Sequence, residues 1–544
     1  MWQHGFDSHM RQLEKGRGNP GSNPGGAAYF MKKDYLDISK ASDIKNKKER
    51  RIYRFFEMLP GLLSIGTLIW VLAFSWLKPA WIAIFIILFC FYYLFRIFYL
   101  SLHQITSYLK TKKYLKTNWL FKLKNLKSKN WQNIYHLITL PTYKEGKEII
   151  VESLESLVNA DYPKEKMIVV LATEERAGKE GQKIAKELKE KYEENFFKFL
   201  VTVHPKNILG EIAGKGSNVA WAVRKAKEKI IDPSHISYKD VIVSNFDIDT
   251  KVYPQFFGCL AWHYLTVDNP RRTSYQPVPV YNNNIWSAPA FSRVVATSNT
   301  FWQMMQQERV EKLTTYSSHA MPLESFLNVG YPANVVSDDS RIFWKAYLRY
   351  DGDYRAVPLY YPVSMDAVMA DNFLKTVINQ YKQQRRWAWG CNEIPYLIYG
   401  FIKNKKISLW EKLSHIYTVI DGFWSWATVA LLIFCLGWLP LVLGGEKFNY
   451  TILSYNLPRL TSRIMTAALI GIIISAILSM LLLPPCPKGV SKFKKLSVLL
   501  QWLLLPFTLI IFGSFPAIDA QIRLMLGKYM GFWVTEKVRR SDLH

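Results

Sequence analysis

Two acidic motifs carry residue types that could do chemistry, and the first is "DID" at Asp247–Asp249. Two carboxylates with this spacing at the end of a strand can approach one hard cation. Mg²⁺ or Mn²⁺ would complete its shell with substrate phosphates and neutralise a leaving diphosphate. Acids are common in loops, so the motif predicts a metal site only because the preceding residues, "VIVSNF", are typical of a buried strand.

The second acidic motif, "SDD" at Ser337–Asp339, also follows a β-branched pair of residues. Asp339 could take a proton from an attacking hydroxyl group. Alternatively, Ser337, Asp338 or Asp339 could cap a helix predicted for "RIFWKAYLRY". Taken alone the motif favours capping, although one segment can serve both purposes.

A glycine-rich segment, "GKGSN" at Gly214–Asn218, could open a helix that binds phosphate. Its glycines permit close approach of the backbone, and Lys215 adds a positive charge. The segment lacks the spacing of a P-loop, so it predicts phosphate binding only together with other motifs.

The stretch "NQYKQQRRWAWG", Asn379–Gly390, combines cationic, amide and indole side chains. Apolar residues in Asp371–Arg386 recur at helical spacing, which by itself indicates an amphipathic anchor on a membrane surface. Gln383, Arg386 and Trp387 suggest more than an anchor. A guanidinium pairs with diphosphate oxygens in a planar fork, and an indole offers a flat face to a sugar ring.

Short apolar runs that alternate with helical patterns must position these motifs. Strands are predicted at Asn133–Pro141, Lys166–Thr173, Lys198–Pro205 and Lys239–Asp247, and helices at Lys147–Asn159, Lys179–Tyr192 and Ser217–Ile230. The alternation predicts βαβ units and a mostly parallel sheet. Ligands bind at the carboxyl ends of such strands, which is where the motifs fall.

Long uncharged runs predict that the α/β region is inserted between membrane spans. About 20 apolar residues cross a bilayer core, and a charge at its centre costs roughly 3 kcal/mol. The runs without ionisable side chains are Met58–Leu77, Pro79–Phe95, Gly422–Gly445, Ile464–Pro487 and Leu496–Ile518. They disfavour a transporter or receptor, which would carry ionisable groups along its path.

The net charge of +27 is uneven, and Ser101–Asn130 holds eight lysines and no acid. By the positive-inside rule, the basic loops and the α/β region between them are cytoplasmic in an integral membrane protein. Membrane loops account for these lysines, so we expect no nucleic-acid partner. The five cysteines are scattered and predict neither a metal site nor a disulfide framework.

The ordered set "TYKE", "DID", "SDD" and "QQRRW", framed by spans, resembles the membrane-integrated family 2 glycosyltransferases, such as cellulose, chitin and hyaluronan synthases. The resemblance runs from about Ile134 to Trp389. It implies an α/β domain of the GT-A fold that binds a nucleotide sugar, a UDP-sugar above all, and Mg²⁺ or Mn²⁺. It also implies inverting transfer to a growing polysaccharide, whereas transfer to a lipid acceptor is the alternative.

The resemblance assigns a role to each motif by position. Asp339 would be the general base, and Asp247 and Asp249 would bind the diphosphate and its metal. The other residues assigned to the donor or to the acceptor end are Thr142, Tyr143, Glu145, Lys215, Gln383, Arg386 and Trp387. The family's aspartate pair after the second strand is replaced by Glu174 and Glu175, so either glutamate could face the nucleotide. His319 lies in the acceptor segment and is interpreted as an ordinary core or surface histidine.

We expect six segments along the chain. They are an N-terminal tail (1–57), two spans (58–100), a basic linker (101–130), the glycosyltransferase domain (131–365), interface helices (366–412), and three or four further spans with a tail (413–544). Residues 1–30 are turn-rich and look foreign, which suggests that the native chain starts at Met31.

Overall fold

The structure, a computed structural model, describes residues 33–126, 130–487, 489 and 491–535. The chain separates into two units, residues 1–34 and 35–544. Only Lys33 and Asp34 of the first unit are described. The suggested start at Met31 therefore lies outside the described residues, and the elements discussed below belong to the second unit.

An eight-stranded mixed sheet forms the centre of the α/β region, in the order β3-β2-β1-β4-β7-β6-β8-β5. The first four strands in that order are parallel, and β7 pairs antiparallel with both β4 and β6. The strands are β1 (Tyr135–Pro141), β2 (Met167–Glu174), β3 (Lys198–His204), β4 (Val241–Asn245), β5 (Lys251–Val252), β6 (Thr273–Val280), β7 (Ala320–Pro322) and β8 (Arg355–Ser364).

Helices cover both faces of this sheet and continue beyond it. They are α1 (Lys47–Leu77), α2 (Pro79–Lys116), α3 (Trp119–Lys124), α4 (Lys147–Val158), α5 (Gly178–Tyr192), α6 (Lys215–Ala226), α7 (Phe256–Thr266), α8 (Ala290–Glu308), α9 (Leu323–Val329), α10 (Asp338–Arg349), α11 (Phe373–Ala388), α12 (Glu393–Lys403), α13 (Leu409–Phe434), α14 (Leu439–Leu443), α15 (Gly445–Asn449), α16 (Ile452–Leu481), α17 (Lys492–Leu500), α18 (Leu505–Thr508) and α19 (Phe515–Met525).

Two hydrophobic cores hold the sheet between its helices. Because side chains alternate along a strand, Ile138 of β1 packs towards α4, α5 and α7, whereas Leu137 packs towards α6, α10 and α12. Burial on both faces explains why β1, β2 and β4 read as continuous apolar runs. The four predicted strands and three predicted helices are observed, with ends shifted by up to four residues.

Within the described ranges, five helical segments are long and apolar enough to cross a membrane: Lys47–Leu77, Pro79–Lys116, Leu409–Phe434, Ile452–Leu481 and Leu496–Met525. These segments overlap the five predicted runs, but most of their ends differ. The first helix starts eleven residues earlier than Met58, where the Asn46 side chain accepts hydrogen bonds from the N–H groups of Lys48 and Glu49. The run Gly422–Gly445 is interrupted after Phe434, and the predicted basic linker is helical through Lys116.

An ion pair lies directly beside two of the uncharged runs. Nη1 of Arg96 in α2 is 3.2 Å from Oδ2 of Asp421 in α13, and it also donates to Ser425 Oγ at 3.2 Å. The uncharged runs therefore understate the ionisable content of these helices. Charged groups inside membrane-spanning helices usually face protein or a water-filled cavity.

Candidate active site

The turn after β1 places Thr142, Tyr143 and Glu145 at the carboxyl edge of the sheet. Glu145 Oε2 accepts hydrogen bonds from Thr142 Oγ1 at 2.9 Å and from the Tyr143 N–H at 2.7 Å. The Thr142 N–H in turn donates to the Ala172 carbonyl of β2 at 2.8 Å. These bonds fix the turn, so Glu145 orients it.

The two glutamates after β2 face different surroundings. Glu174 is buried, lines the main cavity and accepts a hydrogen bond from Arg176 Nη2 at 3.1 Å. The same guanidinium lies 4.3 Å from the centroid of the Tyr143 ring. Glu175 instead accepts the Lys206 N–H at 3.0 Å and is not among the residues that line the cavity. The structure therefore brings Glu174, and not Glu175, to the site.

Lys215, the first residue of α6, joins the two acidic motifs. Its Nζ donates to Asp247 Oδ1 at 2.6 Å and to Asp339 Oδ1 and Oδ2 at 2.9 and 3.0 Å. Burial would lower the pKa of Lys215, but Asp247 and Asp339 outweigh burial and raise this pKa well above its usual range. The lysine is therefore a fixed cation that holds residues 92 positions apart within one cluster.

The carboxylates of the "DID" motif are held by different partners. Ser317 Oγ donates to Asp247 Oδ2 at 2.6 Å, and the Asp366 N–H donates to Asp249 Oδ2 at 2.8 Å. Both aspartates line the cavity. Among the described residues no group of three His, Cys, Asp or Glu side chains could hold a metal alone. Two carboxylates nevertheless fit a Mg²⁺- or Mn²⁺-type ion that takes its remaining ligands from substrate phosphates and water.

The "SDD" motif lies at the N-terminal end of α10. Ser337 occupies the N-cap position of α10, but no side-chain cap bond is made, so the capping interpretation is wrong for this serine. Asp338 is buried and accepts a hydrogen bond from Tyr331 OH at 3.0 Å. Burial and the neighbouring Asp339 raise the pKa of Asp338 to about 7. Of these two aspartates, only Asp339 accepts a hydrogen bond from Lys215.

His319 is a core histidine, one of the two placements expected for it, and it lies beside Asp339. It is fully buried, and its Nδ1 lies 3.6 Å from Asp339 Oδ1 and 3.0 Å from the Tyr316 carbonyl oxygen. Burial lowers the pKa of His319, which favours the neutral ring. A neutral imidazole that donates from Nδ1 packs behind Asp339 and restricts where its carboxylate can lie.

Helix α11 brings Gln383, Arg386 and Trp387 to the same cavity. The Trp387 ring is 6.1 Å from the Tyr281 ring, and the Arg386 guanidinium lies 5.0 Å from the centroid of Phe532. Arg386 Nε is buried and has no hydrogen-bond partner among the described residues. The arginine is thus held over an aromatic ring while donors remain for an anionic ligand.

One cavity of about 1450 Å³ is lined by the turn after β1, by Glu174 and Lys215, by both acidic motifs and by the α11 residues Gln383, Arg386 and Trp387. It extends from Thr142 and Lys215 at the sheet edge to residues of α2, α13 and α16, including the Arg96–Asp421 pair. Of the tryptophans near the spans, Trp426, Trp438 and Trp502 line it, whereas the Trp424 indole donates to Thr67 Oγ1 at 3.1 Å. The carboxylates, Lys215 and the Arg-Trp pair therefore surround a single space.

A wall of this cavity was not anticipated from the sequence. One stripe of α8 and the residue after it face the cavity at helical spacing: Val295, Ser298, Asn299, Trp302, Gln303, Gln306 and Arg309. Gln303 and Gln306 are more than nine-tenths buried, and an amide oxygen of each has no hydrogen-bond partner in the described part of the chain. Trp302 packs edge-to-face on Tyr316 at 5.0 Å.

The mixed sheet with helices on both faces, joined to helices of membrane-spanning length, is a GT-A-like α/β domain, which confirms the predicted fold class. No protein-family model matches the sequence, and no curated protein matches it.

Among solved structures, the chain is similar to the mannosyltransferase PcManGT from Pyrobaculum calidifontis in complex with GDP-Man and Mn²⁺, with 15% identity, a TM-score of 0.38, and coverage of 79% of this chain and 100% of that chain. It is also similar to S. aureus TarS 1–349 in complex with UDP-GlcNAc, with 12% identity, a TM-score of 0.35, and coverage of 73% and 93%. At these TM-scores, the assignment of the site depends on the side chains of this chain.

Proposed function

We propose that this chain is an inverting glycosyltransferase that takes a sugar from a nucleotide diphosphate donor and transfers it to a glycan at the cytoplasmic face of a membrane. The observation that carries the proposal is the cluster in which Lys215 contacts both Asp247 and Asp339 inside the cavity that Arg386 and Trp387 also line. A cation-neutralised pair of acids beside an arginine matches the demands of diphosphate departure and proton removal. The resemblance in motif order favours a UDP-sugar.

The proposed reaction is a single displacement. Asp339 removes the proton from the acceptor hydroxyl, whose oxygen attacks the anomeric carbon from the face opposite the leaving nucleotide diphosphate. Arg386 and Lys215 stabilise the departing negative charge. Mg²⁺ or Mn²⁺, bound through Asp247 and Asp249, would supply further neutralisation of the diphosphate. An α-linked donor then gives a β-linked product.

At the nucleotide end, the turn after β1 and the Glu174–Arg176 pair are proposed to hold the base and ribose. Tyr143 and Arg176 already form a stacked pair that a flat base could extend. Glu174 is held by Arg176 at the same edge and could accept hydrogen bonds from hydroxyl groups of the ribose.

The α8 wall supports a glycan acceptor. Amide groups both donate and accept hydrogen bonds, as sugar hydroxyls do, and a buried amide oxygen without a partner is costly until a ligand satisfies it. Gln303 and Gln306 have this property, and Trp302 adds a flat apolar face nearby. Repeated transfer with export of the product is the extension of this proposal that the resemblance favours.

Transfer to a lipid acceptor is the second candidate, because the cavity also continues between helices of membrane-spanning length. A panel of nucleotide sugars offered to the purified chain with Mg²⁺ or Mn²⁺, followed by analysis of the products, tests both candidates. A ladder of long chains supports glycan elongation, and a single glycolipid supports the lipid acceptor. Absence of turnover with every donor would contradict glycosyl transfer altogether.

A further inference from the structure

A second cavity lies between α11 and the last candidate membrane segment. It has a volume of about 280 Å³ and is lined by Val377, Ile378, Tyr381, Lys382, Arg385, Ile511 and Phe512. We call it the α11 groove. Its aliphatic and phenyl side chains form an apolar floor, and Lys382 and Arg385 place cations at its rim.

The surface around the α11 groove is apolar on both sides. Phe373 and Leu374 of α11 are 69% and 67% exposed, and Phe507 and Ile511 of the candidate membrane segment are 63% and 43% exposed. Large exposed apolar side chains in one patch are unfavourable in water and mark a contact surface. Because the patch includes a segment of membrane-spanning length, the matching environment is the boundary between acyl chains and headgroups.

The rim of the groove carries more cations than anions. Asp519 accepts hydrogen bonds from Arg385 Nη1 at 2.9 Å and from Arg523 Nε at 2.7 Å. Lys382 Nζ lies 5.2 Å from the centroid of the Trp533 ring, and no described carboxylate forms an ion pair with it. Arg385 and Arg523 therefore share one carboxylate, and Lys382 adds a third positive charge, so the rim is complementary to an anion.

An unsatisfied donor lies at the same place. Arg385 Nε is buried and has no hydrogen-bond partner within the described ranges. A buried donor without a partner is costly, and a phosphate oxygen is a strong acceptor for a guanidinium. An anionic group such as a phosphate would therefore both balance the excess positive charge and accept the hydrogen bond from Arg385 Nε.

We propose that the α11 groove binds an anionic phospholipid, with its phosphodiester at Lys382 and Arg385 and an acyl chain along Ile511 and Phe512. A free phosphate would match the rim and leave the apolar floor uncovered, so the floor favours the lipid. Gln383, Arg386 and Trp387 belong to the same helix, and a bound lipid would hold that wall of the cavity in place. Only this last consequence rests on the proposed function.

The test compares the purified full chain in nanodiscs of phosphatidylcholine alone and of phosphatidylcholine with phosphatidylglycerol. The readouts are the thermal unfolding temperature and the phosphatidylglycerol that is retained when the chain is returned to detergent. Lys382→Gln should lower the affinity for phosphatidylglycerol about fivefold, the effect of one lysine near an anionic surface. Ile511→Asn should lower retention by damaging the floor instead of the rim.

Lys375→Gln is the matched control, since Lys375 lies on the same helix and pairs with Asp371 at 3.2 Å outside the groove. Its retention and unfolding temperature should equal those of the wild type. Equal behaviour of the Lys382 and Lys375 variants would overturn the site, as would stabilisation by inorganic phosphate that matches that by phosphatidylglycerol. Neither readout requires a sugar donor, so failure of the proposed function would leave this result standing.

Discussion

At one end of the active-site cavity, Lys215, Asp247 and Asp339 are joined by hydrogen bonds of 2.6–3.0 Å. Along the α8 wall, Gln303 and Gln306 are as deeply buried as Lys215, yet their amide oxygens lack partners among the described residues. Burying a charged group without a partner costs more free energy than burying a neutral amide without one. The cluster at the charged end is therefore fully paired without a ligand. The amide oxygens of the α8 wall gain partners only when a ligand binds.

The largest expected effect comes from breaking the charged end. Asp339→Asn keeps the shape of the side chain but removes the proton acceptor, so transfer should fall by about a thousandfold or more. Binding of the donor, measured by calorimetry with the nucleotide sugar, should remain measurable because Asp247 and Arg386 are unchanged. Substantial turnover by this variant would exclude Asp339 as the general base.

A smaller effect on transfer is expected from a substitution in the α8 wall. Gln306→Met removes the amide at similar volume and should raise KM for a glycan acceptor about fivefold, the value of one lost hydrogen bond. Hydrolysis of the donor in the absence of an acceptor should be unchanged, because the charged end is intact. Gln132→Met, at an exposed turn, is the control. An unchanged acceptor KM would show that α8 does not contact the glycan.

The stability of the charged end is expected to depend on pH, because Asp338 lies beside Asp339. Its pKa is raised by burial and by Asp339 to about 7, so the folded state binds a proton that the unfolded state releases above about pH 4. This contribution to stability is present below about pH 4 and is lost as the pH rises to 7. Asp338→Asn should therefore raise the unfolding temperature at pH 8 and change it little at pH 4.

The stability gain from Asp338→Asn has an upper limit of about 4 kcal/mol, from a shift of roughly three pKa units. Thermal unfolding in one detergent at several pH values measures it. An equal gain at pH 4 and pH 8 would show that the folded protein does not raise the pKa of Asp338.

The smallest predicted difference separates the two glutamates after β2. Glu174→Gln loses the half-buried ion pair that Glu174 makes with Arg176 and should raise KM for the donor several-fold. Glu175→Gln loses only an exposed pair with Lys206, which is worth at most about 1 kcal/mol, and should leave KM nearly unchanged. Equal effects of the two variants would contradict the assignment of Glu174 to the site.

The sequence predicts the parts of this molecule that depend on local patterns. Strands β1, β2 and β4 are buried on both faces and so show as continuous apolar runs, and the motifs follow directly at their ends. The membrane-length helices are predicted by composition in the same way, except where the chain is interrupted after Phe434.

The remaining parts depend on pairings between distant segments. Ser317 reaches Asp247 only because β7 inserts antiparallel beside β4, and Phe532 reaches Arg386 only through the packing of the C-terminal segment. The sequence did not predict that the polar stripe on α8 faces a cavity, because its serine, asparagine and glutamine residues are equally typical of a solvated helix. No spacing in the sequence distinguishes a stripe that faces water from one that faces a cavity.

Gly214, the residue before α6, carries a consequence for substitution. A Cβ atom at this position would lie 2.5–2.8 Å from three atoms of Phe532, including its ring. Since that ring supports Arg386, any side chain at position 214 would displace the arginine unless residue 532 became smaller at the same time. Two positions separated by more than three hundred residues thus form a single steric unit, and variation at one is tolerated only when the other compensates.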